Sequence, residues 1–308
     1  MDKAINLNHQ AKAKAKATKF NRHVVTKNLG LFFSYAFLIS MVIVIIYPIL
    51  VTLMSAFNVS NSLYSTSFFP ENFSLTENFV SLFTDIPYLS WYRNTFLVSI
   101  ITMVLSTAIV TVSGFVYSRY RYQSRKSALM SLLIIQIIPS GSGLIALYAI
   151  ASSIGIYSSE NATLYTYIFM ILIYTTGGIT MNTILMKGYY DSIPRALDES
   201  AKIDGATQMQ IFTEILLPLV KPMIMVIAIF CFLGPIGDII MPKFLIASMS
   251  AEAKTLAVGL MGLINNIKES SYNVFAAGAV LAAIPPVVVF YKFQDYIVGG
   301  LTSGGVKG

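Results

Sequence analysis

Six stretches of this chain are long and apolar enough to cross a bilayer, and most of them contain no charged residue: 31–54, 95–116, 129–150, 164–186, 219–238 and 272–291. A helix needs roughly 20 apolar residues to span the hydrocarbon core. A charge at mid-depth costs about 2.5–3.5 kcal/mol on the insertion scale, so gaps this clean mark spans. The balance of the whole chain agrees, at 56% hydrophobic and 11% charged residues, where soluble domains carry about 25% charge. A spanning β-barrel would show alternating segments of about ten residues, and none appears. The expectation is an all-α membrane protein with six transmembrane helices.

Basic residues give the orientation. Lys3, Lys12, Lys14, Lys16, Lys19, Arg22 and Lys27 crowd the segment before the first span, and the net charge is +7. Residues 58–90 hold Glu71, Glu77 and Asp85 with no Lys or Arg, whereas the next loop holds Arg119, Arg121, Arg125 and Lys126. Such alternation places both chain ends in the cytoplasm. Residues 1–29 then read as a basic cytoplasmic tail, 30–299 as the membrane domain and 300–308 as a second cytoplasmic tail. The first apolar run exceeds a signal-peptide core and lacks a small-residue cleavage site. The basic tail reads as a topology determinant and not as a nucleic-acid arm.

Catalysis has little to work with. The one cysteine, Cys231, lies in an apolar run, and the two histidines, His9 and His23, lie in the tail. No metal site and no catalytic residue is expected. No G-x-x-x-x-G-K-[ST] phosphate loop occurs either. Breakers mark several spans: Pro48, Pro139 to Gly143, Thr175 to Gly178, Pro235 with Gly237, and Pro285-Pro286. In lipid, the backbone groups they free must find partners in neighbouring helices or a wet cavity.

Charge returns in the loop 190–218. Asp191-Ser192 can cap a helix with Pro194 in its first turn. From Arg195 to Ile203 the residues favour helix, with Leu197, Ala201 and Ile203 on an apolar face and Asp198, Glu199 and Lys202 elsewhere. Gly205 suits a left-handed stop. A second short amphipathic helix is expected from about Thr207 to Leu216, and Pro218 marks entry to the fifth span.

The spacing Glu199-x-Ala201-x3-Gly205-x9-Ile215-x-Leu217-Pro218 resembles the E-A-A-x3-G-x9-I-x-L-P motif of ABC-importer permease subunits, with Ser200 replacing the usual first Ala. Ser192-Ile193-Pro194-Arg195 and Leu217-Pro218-Leu219-Val220-Lys221-Pro222 resemble the sugar-importer branch. The segments 232–238, 255–260 and 300–308 are similar to the smaller permease of maltose and maltodextrin transporters.

The resemblance implies a type I ABC-importer permease fold in the bacterial cytoplasmic membrane. It implies a heterodimer with a second permease, an ATPase homodimer holding ATP and Mg, and an extracytoplasmic sugar-binding protein or lipoprotein. This chain would bind no cofactor. Glu199, Ser200, Ala201, Asp204, Gly205, Ile215, Leu217 and Pro218 would couple it to the ATPase. Gly304, Gly305, Val306, Lys307 and Gly308 would reach between the ATPase subunits, and Asn265, Asn266, Lys268 and Glu269 would meet the binding protein.

Maltodextrin leads as cargo; galacto-oligosaccharide, raffinose and multiple-sugar types stay open. Polar and aromatic residues available to a sugar path are Tyr148, Tyr165, Tyr167, Tyr174 and Asn182, while the resemblance puts the main sugar site in the partner permease. Asp238 reads equally as a functional acid or a loop cap. A stand-alone secondary transporter is the distant alternative, and it would need coupling carboxylates inside the spans.

Overall fold

The computed structural model describes residues 2–59, 68–137, 143–265 and 272–303, with side chains for 29–59, 68–137, 143–264 and 272–296. Residues 1–55 and 56–308 form two compact units. The first is one helix, α1 (Asp2–Ala56), whose apolar part is Leu29–Ala56. It runs through Pro48 without interruption, because proline removes one N–H while the rest of the ladder stays formed.

The second unit begins with a small clip. Asn58 bridges Phe73, Val59 N–H donates to the Asn72 carbonyl at 2.8 Å, and the Asn78 amide donates to the Ala56 and Asn58 carbonyls, both at 2.9 Å. Then come α2 (Glu77–Thr84), α3 (Tyr88–Arg119), α4 (Arg125–Ile135), α5 (Leu144–Ser153) and α6 (Ala162–Ser192). After these follow α7 (Ala196–Ile203), α8 (Gln208–Gln210), a π-helical run Ile211–Leu216 and α9 (Leu217–Leu219). The chain ends with α10 (Lys221–Gly237), α11 (Ile240–Leu245), α12 (Leu256–Asn265) and α13 (Tyr272–Ser303).

Among the described residues, four helices are long and apolar enough to cross a membrane: Leu29–Ala56, Tyr88–Arg119, Ala162–Ser192 and Tyr272–Tyr296. A fifth arises if Gln208–Leu219 and Lys221–Gly237, bent by 75° to each other, make one span. The expected third span is not one helix. It is divided between α4 and α5 around the Pro139–Gly143 breaker, whose residues 139–142 lie outside the described residues. Of the other breakers, Gly237 ends α10 as expected, and the rest behave differently. α6 runs through Thr175 to Gly178 and α13 through Pro285-Pro286, while α10 contains Pro235 and stops at Gly237. Glycine inside a helix loses propensity but keeps its hydrogen bonds, so it does not break a helix held by its neighbours.

α3 is the hub, packing against α6 and α10. Its buried seam runs Thr95, Ser99, Thr102, Ser106, Val110, Gly114 and Ser118, spaced three or four apart. Small side chains at helical spacing let backbones approach closely in a membrane. At Gly114 the approach is tight enough that an added Cβ would lie 2.4 Å from Met186 Cγ on α6.

Three hydrophobic clusters line up along α3. One contains Trp91 and Leu256, the next Val98 and Met170, and the last Val110, Phe115 and Met186. At the Trp91 end the side chains of α3 hold the segment 251–256 by its backbone. Trp91 Nε1 donates to the Ala251 carbonyl at 2.7 Å, Asn94 Nδ2 to the Glu252 carbonyl at 2.7 Å, and Leu256 N–H to Thr95 Oγ1 at 2.7 Å. Tyr167 on α6 donates to the Ala253 carbonyl at 2.9 Å.

A Cβ on Gly259 would fall 2.2 Å from the Trp91 ring, and the indole is tethered by its hydrogen bond. Gly259→Val is therefore expected to destabilise the protein by at least the about 1–3 kcal/mol typical of overpacking, read as a lower melting temperature in detergent. An unchanged melting temperature would disprove the tether.

Candidate functional site

The charged loop sits where α3 and α6 end together. α6 does not stop before Asp191; it continues through Ser192. Neither residue caps α7, as the sequence had suggested they could. Asp191 pairs with Lys187 one turn back and accepts the Ser118 hydroxyl from α3 at 2.5 Å, while the Ser192 hydroxyl donates to the Tyr189 carbonyl at 2.7 Å. Both side chains are spent on extending α6. The N-cap of α7 is Arg195, which makes no side-chain cap.

α7 carries Asp198 and Glu199 in its first turn and Lys202 in its last, the polarity that complements a helix dipole. Its buried face is not the expected one. Leu197 is 43% and Ile203 86% exposed, whereas Asp198 and Ala201 are buried. The reason is Arg119 at the end of α3. Its Nε lies 2.6 Å from Asp198 Oδ2, with both side chains at most one-tenth exposed. The rest of the guanidinium donates to the carbonyls of Tyr190 at 2.9 Å and Ile193 at 3.2 Å. Arg119 therefore closes the C-terminus of α6 and grips α7 at once, its planar fork reaching three partners in different directions. Arg195 adds a bond from its guanidinium to the Ser118 carbonyl at 3.0 Å.

Ala201 packs into the cluster formed by Phe115, Tyr190, Ile211 and Leu216. Gly205 ends α7 with φ +85°, as its position had suggested. Ala206 N–H donates to the Ala201 carbonyl at 2.9 Å and Gly205 N–H to the Lys202 carbonyl at 3.1 Å. This pair of bonds is a Schellman stop.

Thr207 then starts the next helical run with a capping box, closed by Gln210 from both sides. The run widens into the π turn Ile211–Leu216, directly ahead of Pro218, which has no N–H to return to the Glu214 carbonyl. α10 starts at Lys221 instead of Leu219, after the bend at Val220.

The motif residues thus divide by exposure. Glu199, Ser200, Asp204, Gly205 and Pro218 are exposed, Ile215 and Leu217 are half-buried, and Ala201 is buried. One face of α7 is fixed to the bundle by an ion pair and a small side chain. The opposite face presents acids, a base and Ile203 with nothing over them. Arg119 escaped the sequence reading as a partner because a basic residue after a span was already explained by topology. The hint was its position, at the junction of a span and a loop that faces a second charged loop.

At the other end of α10, Asp238 Oδ2 accepts the Tyr174 hydroxyl at 2.9 Å, and its Oδ1 accepts the Ile240 N–H at 2.9 Å, which starts α11. Of the aromatic residues considered for a sugar path, Tyr167 is committed to the Ala253 carbonyl and Tyr148 stacks on Tyr157 with centroids 5.1 Å apart. The Asn182 amide donates to the Gly178 carbonyl at 2.8 Å. Asn265 ends α12; its side chain, Asn266, Lys268, Glu269 and the tail Gly304–Gly308 lie outside the described residues.

The family described as binding-protein-dependent transport system inner membrane component matches residues 111–302, a range that opens on α3 just before Arg119 and contains all of α7. The chain belongs to this family. The permease is 46% identical over 275 residues to the maltodextrin transport system permease protein MdxG of Bacillus subtilis, covering 89% of this chain and 95% of that one. It is 44% identical to the maltodextrin transport system permease protein MalD of Streptococcus pneumoniae, with 89% and 95% covered. It is 43% identical to the galactooligosaccharides transport system permease protein GanQ of Bacillus subtilis, with 92% and 98% covered. Its fold matches a chain from the crystal structure of a bacterial ABC transporter that imports alginate, with a TM-score of 0.73 at 19% identity, covering 88% of the permease and 97% of that chain. It is a multi-pass membrane transport subunit and not an enzyme.

Proposed function

We propose that this permease carries maltodextrin into the cytoplasm as one half of a heterodimeric channel driven by a separate ATPase dimer. The observation that carries the coupling is α7 itself, anchored by Arg119–Asp198 on one face and open on the other. A helix so held transmits force to α3 and α6 without a flexible joint. In this reading the 190–218 loop docks in the ATPase, with Glu199, Ser200, Asp204 and Gly205 at the contact. Ala201, Ile215 and Leu217 hold the loop's shape behind them, and Pro218 sets its exit into α10. ATP and Mg stay on the partner. The tail Gly304–Gly308 reaches between the ATPase subunits, and Asn265, Asn266, Lys268 and Glu269 face an extracytoplasmic binding protein.

The chain crosses the membrane six times in this scheme, with both ends in the cytoplasm. The divided segment α4–α5 supplies the third crossing and α10 the fifth. The basic loop after α3 and the acidic loop before it support that orientation. The cargo reading rests on the two maltodextrin permeases among the relatives. The relative named for galactooligosaccharides favours a second reading, a galacto-oligosaccharide.

Reconstitution decides between them. The permease, its partner permease, the ATPase and the binding protein in liposomes should take up labelled maltotriose with ATP and leave galactotriose outside. Uptake of galactotriose alone would replace the cargo. Uptake of either sugar without an ATPase would overturn the coupled reading.

A further inference from the structure

A crevice of about 240 Å³ opens beside α11, between its flanking residues Ile239 and Ile246 and the first two turns of α12. Two lysines line it, Lys243 from α11 and Lys254 from the segment ahead of α12, and no acid does. We propose that it seats the head group of an anionic phospholipid from the outer leaflet, with the phosphate between the two ammonium groups. The site rests on the orientation proposed above only for the leaflet that supplies the lipid.

Neither lysine is answered inside the chain. Among the described residues the ion pairs are Arg119–Asp198 and Lys187–Asp191, and Lys243 and Lys254 enter no ion pair or side-chain hydrogen bond. Glu252, two residues before Lys254, is exposed and unpaired with it. Asp238 already takes the Tyr174 hydroxyl and the Ile240 N–H. Two like charges on one crevice repel each other unless an anion lies between them. Lys254 is also half-buried, so its charge has lost part of its water.

The backbone of Lys254 is held firmly. Its carbonyl accepts Asn94 Nδ2 at 3.1 Å, and the carbonyls of the three residues before it are taken by Trp91, Asn94 and Tyr167. Asn94 lies one residue ahead of the apolar run 95–116. This lysine therefore stands where hydrocarbon gives way to head groups. Its side chain leans toward α12, since a Cβ on Gly262 would lie 4.0 Å from its Nζ. Gly262 thus leaves room beside the charge.

The rest of the wall is apolar, with Ile246, Val258 and Met261. Ile240 and Phe244, one turn and one residue from Lys243, are 62% and 45% exposed.

This combination selects the ligand. The volume is below the roughly 300–1,000 Å³ of small-molecule sites, and neutral sugar hydroxyls would leave two cations unanswered. A metal cation is repelled. Inorganic phosphate satisfies the lysines and leaves the apolar wall in water. A zwitterionic head group brings its own cation to the lysines. A phosphodiester with a glycerol head and acyl chains satisfies both charge and wall.

The assembled transporter tests this in nanodiscs of phosphatidylcholine and phosphatidylglycerol in equal parts. Native mass spectrometry after gentle release counts the lipids that stay bound. The wild type should keep one more phosphatidylglycerol than the double variant Lys243→Gln with Lys254→Gln. Each single change should weaken retention about fivefold, the weight of one basic residue at an anionic surface. Gly262→Leu fills the crevice, keeps both charges and favours helix; it should lose the same lipid. Lys126→Gln, beyond the far end of α3, should keep it.

Unchanged retention in the double variant overturns the site, and so does equal retention of phosphatidylcholine. An equal loss in Lys126→Gln overturns it too, because it marks diffuse surface charge. Loss of the lipid in excess inorganic phosphate would reassign the crevice to a soluble anion. If the double variant keeps the lipid and loses stimulation by the binding protein, the lysines face a protein carboxylate and the site falls. Should Gly262→Leu fail to assemble, the lysine variants decide alone. Retention is read without sugar, so a transporter that keeps the lipid and moves no oligosaccharide strikes the proposed function and not this site.

Discussion

Asp198→Ala is expected to abolish uptake and to lower the melting temperature of the assembled transporter more than any other single change in the charged loop. The variant leaves Arg119 with a side chain only 6% exposed and no counter-charge. Breaking a buried pair from one side costs about 3–5 kcal/mol, chiefly because the surviving charge stays desolvated. The mirror variant, Arg119→Ala, does further damage. It also uncaps the carbonyls of Tyr190 and Ile193, so both the end of α6 and the seat of α7 are lost.

The two roles of Arg119 make the charge swap informative. Arg119→Asp with Asp198→Arg restores opposite charges, yet places an acceptor where two carbonyls need donors. It should not recover uptake. Arg119→Lys keeps the charge and loses the fork, and should retain part of the stability with little uptake. Full recovery by the swap would mean that charge alone matters and that the α6 cap is incidental. Wild-type melting and uptake in Asp198→Ala would remove α7 anchoring from the mechanism altogether.

Much of this site was legible in the sequence, and the missing part has a physical reason. The spacing from Glu199 to Pro218 located α7, its glycine stop and the second helical run. Helix ends are set by local chemistry such as the Gly205 turn and the Thr207 box, which neighbours in sequence supply. Which face of α7 is buried depends on a partner far along the chain. An amphipathic reading puts acids in solvent and Leu197 and Ile203 in the core, and a single buried arginine reverses that choice.

The spans show the same division. Long apolar runs announced α3, α6 and α13 plainly. Proline and glycine marked possible breaks, yet only Gly237 and the cluster around Pro139 coincide with helix ends. Elsewhere the neighbouring helices and the low cost of one missing N–H kept the helix whole.

The second large effect concerns Gly205. Its φ of +85° is a region that other L-residues enter at a cost of about 1–2 kcal/mol, and a β-branched residue fares worst. Nothing lies within 4 Å of a Cβ placed there, so the turn itself has room and the cost of a small side chain is strain alone. Gly205→Asn should keep most uptake, since asparagine visits this region readily. Gly205→Ala should lose some, and Gly205→Val should lose most by breaking the Schellman bonds to Ala201 and Lys202. Gly205→Trp separates strain from docking. Within this chain its ring has space to stand outward, next to Asp204, where it would obstruct a partner. If α7 seats in an ATPase, Gly205→Trp should fall well below Gly205→Ala in uptake and in sugar-stimulated ATP hydrolysis, while the chain alone melts like Gly205→Ala. Equal uptake from the two would mean that no partner reaches this surface, and that the motif spacing preserves a turn rather than a joint.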